Sequence, residues 1–184
     1  GSWVVSGLRR CRFAARGWRV AVRCGGVPAP SLCCWSSLTR IVRDLAEIGP
    51  ELWDALVRED AGDRDSSCDR NPFLRYDFLA ALHETGCADF ESGWAVEYLT
   101  LWTEDDALVG AVPLYRKFHS YGEYVFDWAW ADAYRRHGLD YYPKLVSGIP
   151  FTPVTGPRLV ASDLIIRRAL ARALVVHAHA SDVS

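Results

Sequence analysis

The densest run of chemistry-bearing side chains is Lys117, His119, Tyr121, Glu123, Asp127, Trp128, Trp130 and Asp132. If this run is extended, alternation places Tyr121, Glu123, Val125 and Asp127 on one side. Carboxylates in an aromatic surround acquire raised pKa values and can act as bases, which makes Glu123 and Asp127 the candidate catalytic acids. The same two acids could instead form structural ion pairs with Arg116, Lys117 or Lys144. Lys117 and Lys144 are the only lysines in the chain. Either could hold a phosphate or carboxylate, or sit solvated at the surface. His119, with an ordinary pKa near neutrality, could carry a proton or serve as a hydrogen-bonded structural residue beside its Ser-Tyr-Gly turn. Tyr141 and Tyr142 either line a cleft or pack. Trp128 and Trp130 could stack a base or a sugar, but without basic neighbours core packing is the favoured reading. The candidate substrate-binding set is therefore Lys117, His119, Tyr121, Trp128, Tyr142 and Lys144.

Other chemistries find less support. Ser120 and Ser147 lack a G-x-S-x-G context, which argues against serine hydrolysis. His177 and His179 are two apart, so a helix points them to different faces, and no metal site is expected. The six cysteines lack zinc spacing and read as free thiols of a reducing compartment. A bacterial cytoplasm fits.

The elements that must position these residues follow from pattern. Thr39 to Leu45 is a short β-prone run. Pro50 opens a helix that continues to about Asp60, and 61–70 is a polar loop. Asn71-Pro72 caps a second helix with Phe73, Tyr76, Leu79, Ala80 and His83 on one stripe, ended by Gly86. Ala95–Trp102 alternates apolar and polar residues and Ala107–Lys117 returns, with Glu104-Asp105-Asp106 as the turn; this predicts a hairpin. Tyr121–Trp130 is a third β-prone run leading into a polar helical piece. Short strands are expected over Tyr142–Ile149 and Arg158–Val160. Ser162-Asp163 caps a last helix with Ile165, Ala169, Leu170, Ala173, Leu174 and Val176 as its apolar face. Strand, two helices, antiparallel strands and a helix make a mixed α/β layer fold (α+β, mixed sheet).

Composition bounds the partners. Residues 1–37 hold six arginines and no acid, whereas residues 38–184 hold 15 basic residues against 23 acidic ones. So acidic a body argues against a broad nucleic-acid-binding face and against DNA as partner. No stretch approaches the ~20 apolar residues that span a bilayer, so no membrane insertion is expected. Residues 1–37 are assigned no fold and read as a non-native or targeting leader.

The segments NPFLRYDFLAAL, LVGAVPLYRKFHSYGEYVFDWAWADAY, LDYYPKL and IPFTPVTGPRL together resemble the FemAB-like proteins of peptidoglycan biosynthesis and recognition, within the GNAT acyltransferase superfamily. The resemblance covers roughly residues 39–184. It implies a GNAT-like fold and an N-acyltransferase chemistry: passage of an acyl or aminoacyl group from acyl-CoA or aminoacyl-tRNA to an amine, with peptidoglycan precursors as substrates. Residues 39–184 would be an N-terminal GNAT-like half-domain that stops after its fourth strand and following helix. The pyrophosphate loop of GNAT enzymes would align with Arg158-Leu159-Val160-Ala161-Ser162-Asp163, which lacks glycines, so no cofactor is expected within these residues. The isolated chain is expected to show negligible transferase activity. The alternative is a non-catalytic peptide- or glycan-binding module of a two-lobed protein.

Overall fold

The computed structural model describes residues 18–19, 38–61, 71–181 and 183. The expected loop at 61–70 lies outside them apart from Ala61, which ends a helix. So does the segment 1–37 apart from Trp18–Arg19 (β1), which pairs antiparallel with Leu38–Thr39.

Strand β2, Leu38–Val42, is shorter than the β-prone run predicted. Asp44 stops it by accepting the Ala46 N–H at 2.9 Å and capping a 3-10 turn at Leu45–Glu47. Helix α1, Pro50–Ala61, starts at its proline as expected and buries Trp53, Leu56 and Val57. Asn71 caps only a 3-10 turn, Pro72–Leu74, by accepting the Phe73 N–H. Helix α2, Tyr76–Glu84, begins separately, and Asp54 of α1 accepts the Tyr76 N–H at 3.0 Å. Gly86, at φ 72°, follows its end.

The hairpin forms the spine. Strands β3 (Trp94–Val96) and β4 (Tyr98–Trp102) return as β5 (Leu108–Val112) and β6 (Leu114–Lys117). Trp94 faces Lys117, Val96 faces Tyr115, Leu99 faces Val112 and Leu101 faces Gly110 without a register shift. The Glu97 N–H donates to the Leu114 carbonyl at 2.9 Å across the join. The two halves are thus one continuous ribbon, broken where Pro113 has no N–H to give. Every residue of β4 is buried, so it does not present the polar face that alternation suggested. Tyr98, Trp102 and Ala111 pack with α1 and α2, while Leu99, Leu101 and Val112 pack with the final helix. A strand covered on both faces reads as a near-continuous apolar run.

With β7 (Lys144–Ser147) and β8 (Val160–Ala161), the ribbon joins two sheets of order β1-β2-β4-β5-β8 and β3-β6-β7, and every strand pair among the described residues is antiparallel. The outer edge of β5–β6 is shared. Strand β7, Lys144–Ser147, pairs with β6, and the Gly148 N–H continues that line to the Pro113 carbonyl. The same register would bring Pro150 opposite Ala111. Val160 of β8 (Val160–Ala161) stands there instead, so ten residues loop out of one edge.

The predicted strand at Tyr121–Trp130 is not formed. Residues 121–127 are turns and bends, and helix α3 runs Trp128–Arg136. Gly122 sits at φ 81° and the Glu123 N–H returns to the Ser120 carbonyl, so the chain turns before any sheet edge can recruit it. Aromatic residues favour strands only where a pleated neighbour exists. Helix α4, Leu164–Ala180, is capped by Asp163 as expected, but its buried face is Ile166, Leu170 and Ala173; Ile165 and Val176 are exposed. The architecture is a mixed α/β fold with antiparallel sheets between α4 on one side and α1 and α2 on the other. No described helix is long and apolar enough to cross a membrane.

Candidate functional site

The turn at 120–127 folds back over β6 and β7, and the candidate residues meet there. Lys144, at the start of β7, donates to Glu123 Oε2 at 2.8 Å and to the Asp127 carboxylate. Asp127 also accepts from Ser120, from Tyr141 Oη at 2.6 Å and from Tyr142 Oη at 3.1 Å. Burial alone would raise the Asp127 pKa, but the donors Lys144, Ser120 and Tyr141 outweigh it and hold the carboxyl well below the usual carboxylate range. Burial would lower Lys144, but its bonds to Asp127 and Glu123 leave it raised. Burial, then the bond to Asp127, raises Tyr141. Of the two openings left by the sequence, ion pairing with Lys144 is what the geometry contains.

Glu123 differs from Asp127 in one respect. Its Oε2 is fixed by Lys144, while its Oε1 is buried without a hydrogen-bond partner. Glu123 is among the residues that line a 240 Å³ cavity, together with Trp94, Ser147, Phe151 and Arg158. Lys117 lies behind the same wall, fully buried, with Nζ 2.6 Å from the Tyr121 carbonyl oxygen and 3.7 Å from the Trp94 ring centroid. Burial lowers its pKa to about 8.

Four of the residues singled out from sequence, Glu123, Asp127, Lys144 and Tyr142, therefore form one bonded cluster, and Lys117 adjoins it. Tyr121 contributes only its carbonyl, since its side chain is 66% exposed. His119 packs on Tyr121 and beneath Gly93, where an added Cβ would stand 2.3 Å from its Nε2. Trp128 and Trp130 are 59% and 65% exposed, which corrects the core-packing reading. Trp128 stacks on Phe126 along a helix that buries no residue. Trp94 and Phe151 also line the cavity, and neither stands out in the sequence as a site residue. Trp94 reaches the cavity only through long-range pairing of β3 with β6, for which no local spacing gives a signal.

A larger cavity of 690 Å³ opens beside β3, lined by Arg43, Asp44, His83, Glu97 and Arg116 among others. It contains none of the expected site residues. Its buried groups are mutually satisfied: Glu97 is bonded to Arg116 and His177, and His83 to Tyr115. The smaller cavity is therefore the stronger candidate, because Glu123, one of the two candidate acids, lines it.

The family model described as peptidoglycan biosynthesis/recognition, FemAB-like, matches residues 44–184. No curated protein matches the chain, and no solved structure does.

Proposed function

Because the chain belongs to the FemAB-like family of peptidoglycan biosynthesis and recognition proteins, we propose that it serves the transfer of an acyl or aminoacyl group to an amine of a peptidoglycan precursor, on a GNAT-like scaffold. The observation that carries this reading is Glu123 itself, which lines the cavity with one oxygen held by Lys144 and the other without a partner. An amine entering the cavity meets an acceptor whose other oxygen is already fixed by Lys144.

Acyl transfer forms an N–C bond and breaks the C–S bond of a thioester or the C–O bond of an aminoacyl ester. The amine proton must leave as the bond forms, and Glu123 takes it, to be returned to the departing sulfur or oxygen. Asp127 accepts four hydrogen bonds and is a weak base, so it positions Lys144, Tyr141 and Tyr142. Lys144 holds positive charge against Glu123 and fixes the carboxylate in place. The parting of β7 and β8 along one ribbon edge supports a scaffold in which a substrate enters between strands.

Recognition without transfer is the second reading. Asp163 accepts the Ile166 N–H at 2.8 Å, which puts a carboxylate at the positive end of α4, where a phosphate-bearing donor would need it free.

One experiment separates the two. A muropeptide with a free amine and its N-acetylated twin are titrated into the protein, then acetyl-CoA or charged tRNA is added and products are read by mass. Amine-dependent binding with a product that disappears in Glu123→Ala supports transfer. Amine-dependent binding without product supports recognition, and equal binding of the two muropeptides refutes the placing of the amine on Glu123.

A further inference from the structure

On the β2 side, the spine is paired only part of the way. Val42 of β2 faces Tyr98 of β4, and the same register would next bring Arg43 opposite Glu97 and Asp44 opposite Val96. Asp44 instead caps the 3-10 turn at Leu45–Glu47, and the chain leaves the sheet there. Strand β3 is left as an edge, paired with β6 and with no other described strand.

Antiparallel pairing decides which backbone groups this edge presents. Facing residues alternate between pairs that exchange both hydrogen bonds and pairs that exchange none. The Glu97 N–H donates to the Leu114 carbonyl, so Glu97 and Ala95 turn their backbone groups toward β6. Trp94 and Val96 turn theirs outward. The Asp89 carbonyl takes the Trp94 N–H at 2.6 Å. The Trp94 carbonyl and both backbone groups of Val96 bond to no described residue on that side. The free row therefore reads acceptor, donor, acceptor.

The 690 Å³ cavity follows this row. Arg43 and Asp44 line it where β2 departs, and Val96 and Glu97 line it along the edge itself. His83 of α2 and Arg116, which donates to the Ser181 carbonyl just past α4, line it as well. Helices α2 and α4 cover opposite faces of the spine, so a cavity reaching both lies at the edge and not on one face. Phe90 and Phe118, both exposed and in edge-to-face contact at 5.4 Å, add an apolar shelf. The volume falls within the roughly 300–1,000 Å³ of ligand sites.

Charge selects among extended guests. Arg43 and Arg116 both face Glu97, at 3.9 and 3.0 Å. Asp44, Glu84 and Asp89 of the same lining have no ion-pair partner among the described residues. We propose that the open edge of β3 binds an extended basic peptide as an added strand. The peptide accepts from the Val96 N–H, donates to the Val96 and Trp94 carbonyls, and lays lysine or arginine side chains toward Asp44, Glu84 and Asp89. This site is separate from the Glu123 cavity and stands or falls without the transfer reading.

The probe is the capped peptide acetyl-Val-Lys-Val-Lys-Val-amide, titrated into the ¹⁵N-labelled full chain while the Val96 amide is followed by NMR. Saturable binding is expected, with hydrogen exchange at Val96 slowed about tenfold or more. The glutamate counterpart, Val-Glu-Val-Glu-Val, should bind about tenfold more weakly. So should a version N-methylated at every residue, which keeps the side chains and loses the donors. In the protein, Val96→Pro removes the outward N–H and leaves the bonds to β6 in place, and should weaken the lysine peptide about tenfold. Glu84→Lys, at an exposed position, should weaken it several-fold and narrow its advantage over the glutamate peptide. No saturable shift at ~1 mM peptide overturns the proposal. So does unchanged exchange at Val96, or undiminished binding of the N-methylated peptide. Self-association that Val96→Pro abolishes and the peptide does not displace also overturns it, by giving the edge to a second copy. Full protection of the Val96 amide in the free chain does the same, by giving it to another segment of this chain.

Discussion

Lys117 is a fully buried cation whose neighbours are a carbonyl and an indole ring, with no described carboxylate in ion-pair contact. Burial lowers its pKa from the ordinary 10.5 to about 8. Between those values the unfolded chain binds the proton and the folded chain has released it, so stability rises with pH. At roughly 1.4 kcal/mol per unit, stability should climb by about 2 kcal/mol between pH 8 and 9.5, and Lys117→Met should lack the climb. Urea unfolding across that range measures it. Above about pH 10 the sign reverses, because Tyr98 and Tyr115 are buried with raised pKa values and keep protons that the unfolded chain loses. The sequence could name Lys117 as one of two lysines but could not show its burial. A lysine opposite a tryptophan is a cross-strand fact, visible only when Trp94 is seen to face it.

At the scale of elements, α4 settles on the sheet through a glycine. A Cβ on Gly110 would stand 2.8 Å from Ile166 Cγ2 and 3.0 Å from Leu170 Cδ1. Gly110→Ala should therefore destabilise by about 1–3 kcal/mol through overpacking, read as a lower denaturation midpoint with an unchanged slope. The substitution lies across the sheet from α1, so relief should come from Leu170→Ala but not from Leu56→Ala. This close approach also explains why the apolar face expected for α4 holds at Leu170 and Ala173 but fails at Ile165. Periodicity alone cannot choose between Ile165 and Ile166, whereas the hollow at Gly110 admits Ile166. Where boundaries were set by backbone chemistry, as at Pro50, Gly86 and Asp163, the sequence was sufficient. Where partners decide, as for the aromatic run at 121–130, propensity misled.

Across the whole molecule, Glu97 ties distant parts together at the join of the ribbon. Its carboxylate receives Arg116 at 3.0 and 3.2 Å and lies 3.2 Å from His177 near the end of α4. Burial would raise it, but the bonds with His177 and Arg116 bring its pKa from the ordinary 4.5 down to about 2. A depressed carboxyl stabilises above the unfolded value and loses that contribution as pH falls through the folded one. Wild type should therefore shed about 3 kcal/mol more than Glu97→Gln between pH 4.5 and 2, so the two unfolding curves converge on acidification. Neither Glu97 nor Trp94 stood out in the sequence, because their roles depend on which strands become neighbours. The acids and lysine of the cluster did stand out, because the acids lie in the densest polar-aromatic run and lysine occurs only at Lys117 and Lys144.

The looped-out decade between β7 and β8 leaves the ladder on either side untouched, since each flank keeps its own pairing with the spine. Such a segment is carried by the border of the sheet without entering its ladder, and it is tied to the body by Phe151 against Trp94 and by the Leu159 carbonyl, which accepts from Arg167. Excising it whole would fuse two short strands into one seamless border, and the molecule would keep its shape while losing Phe151 and Arg158 from the chamber they help enclose.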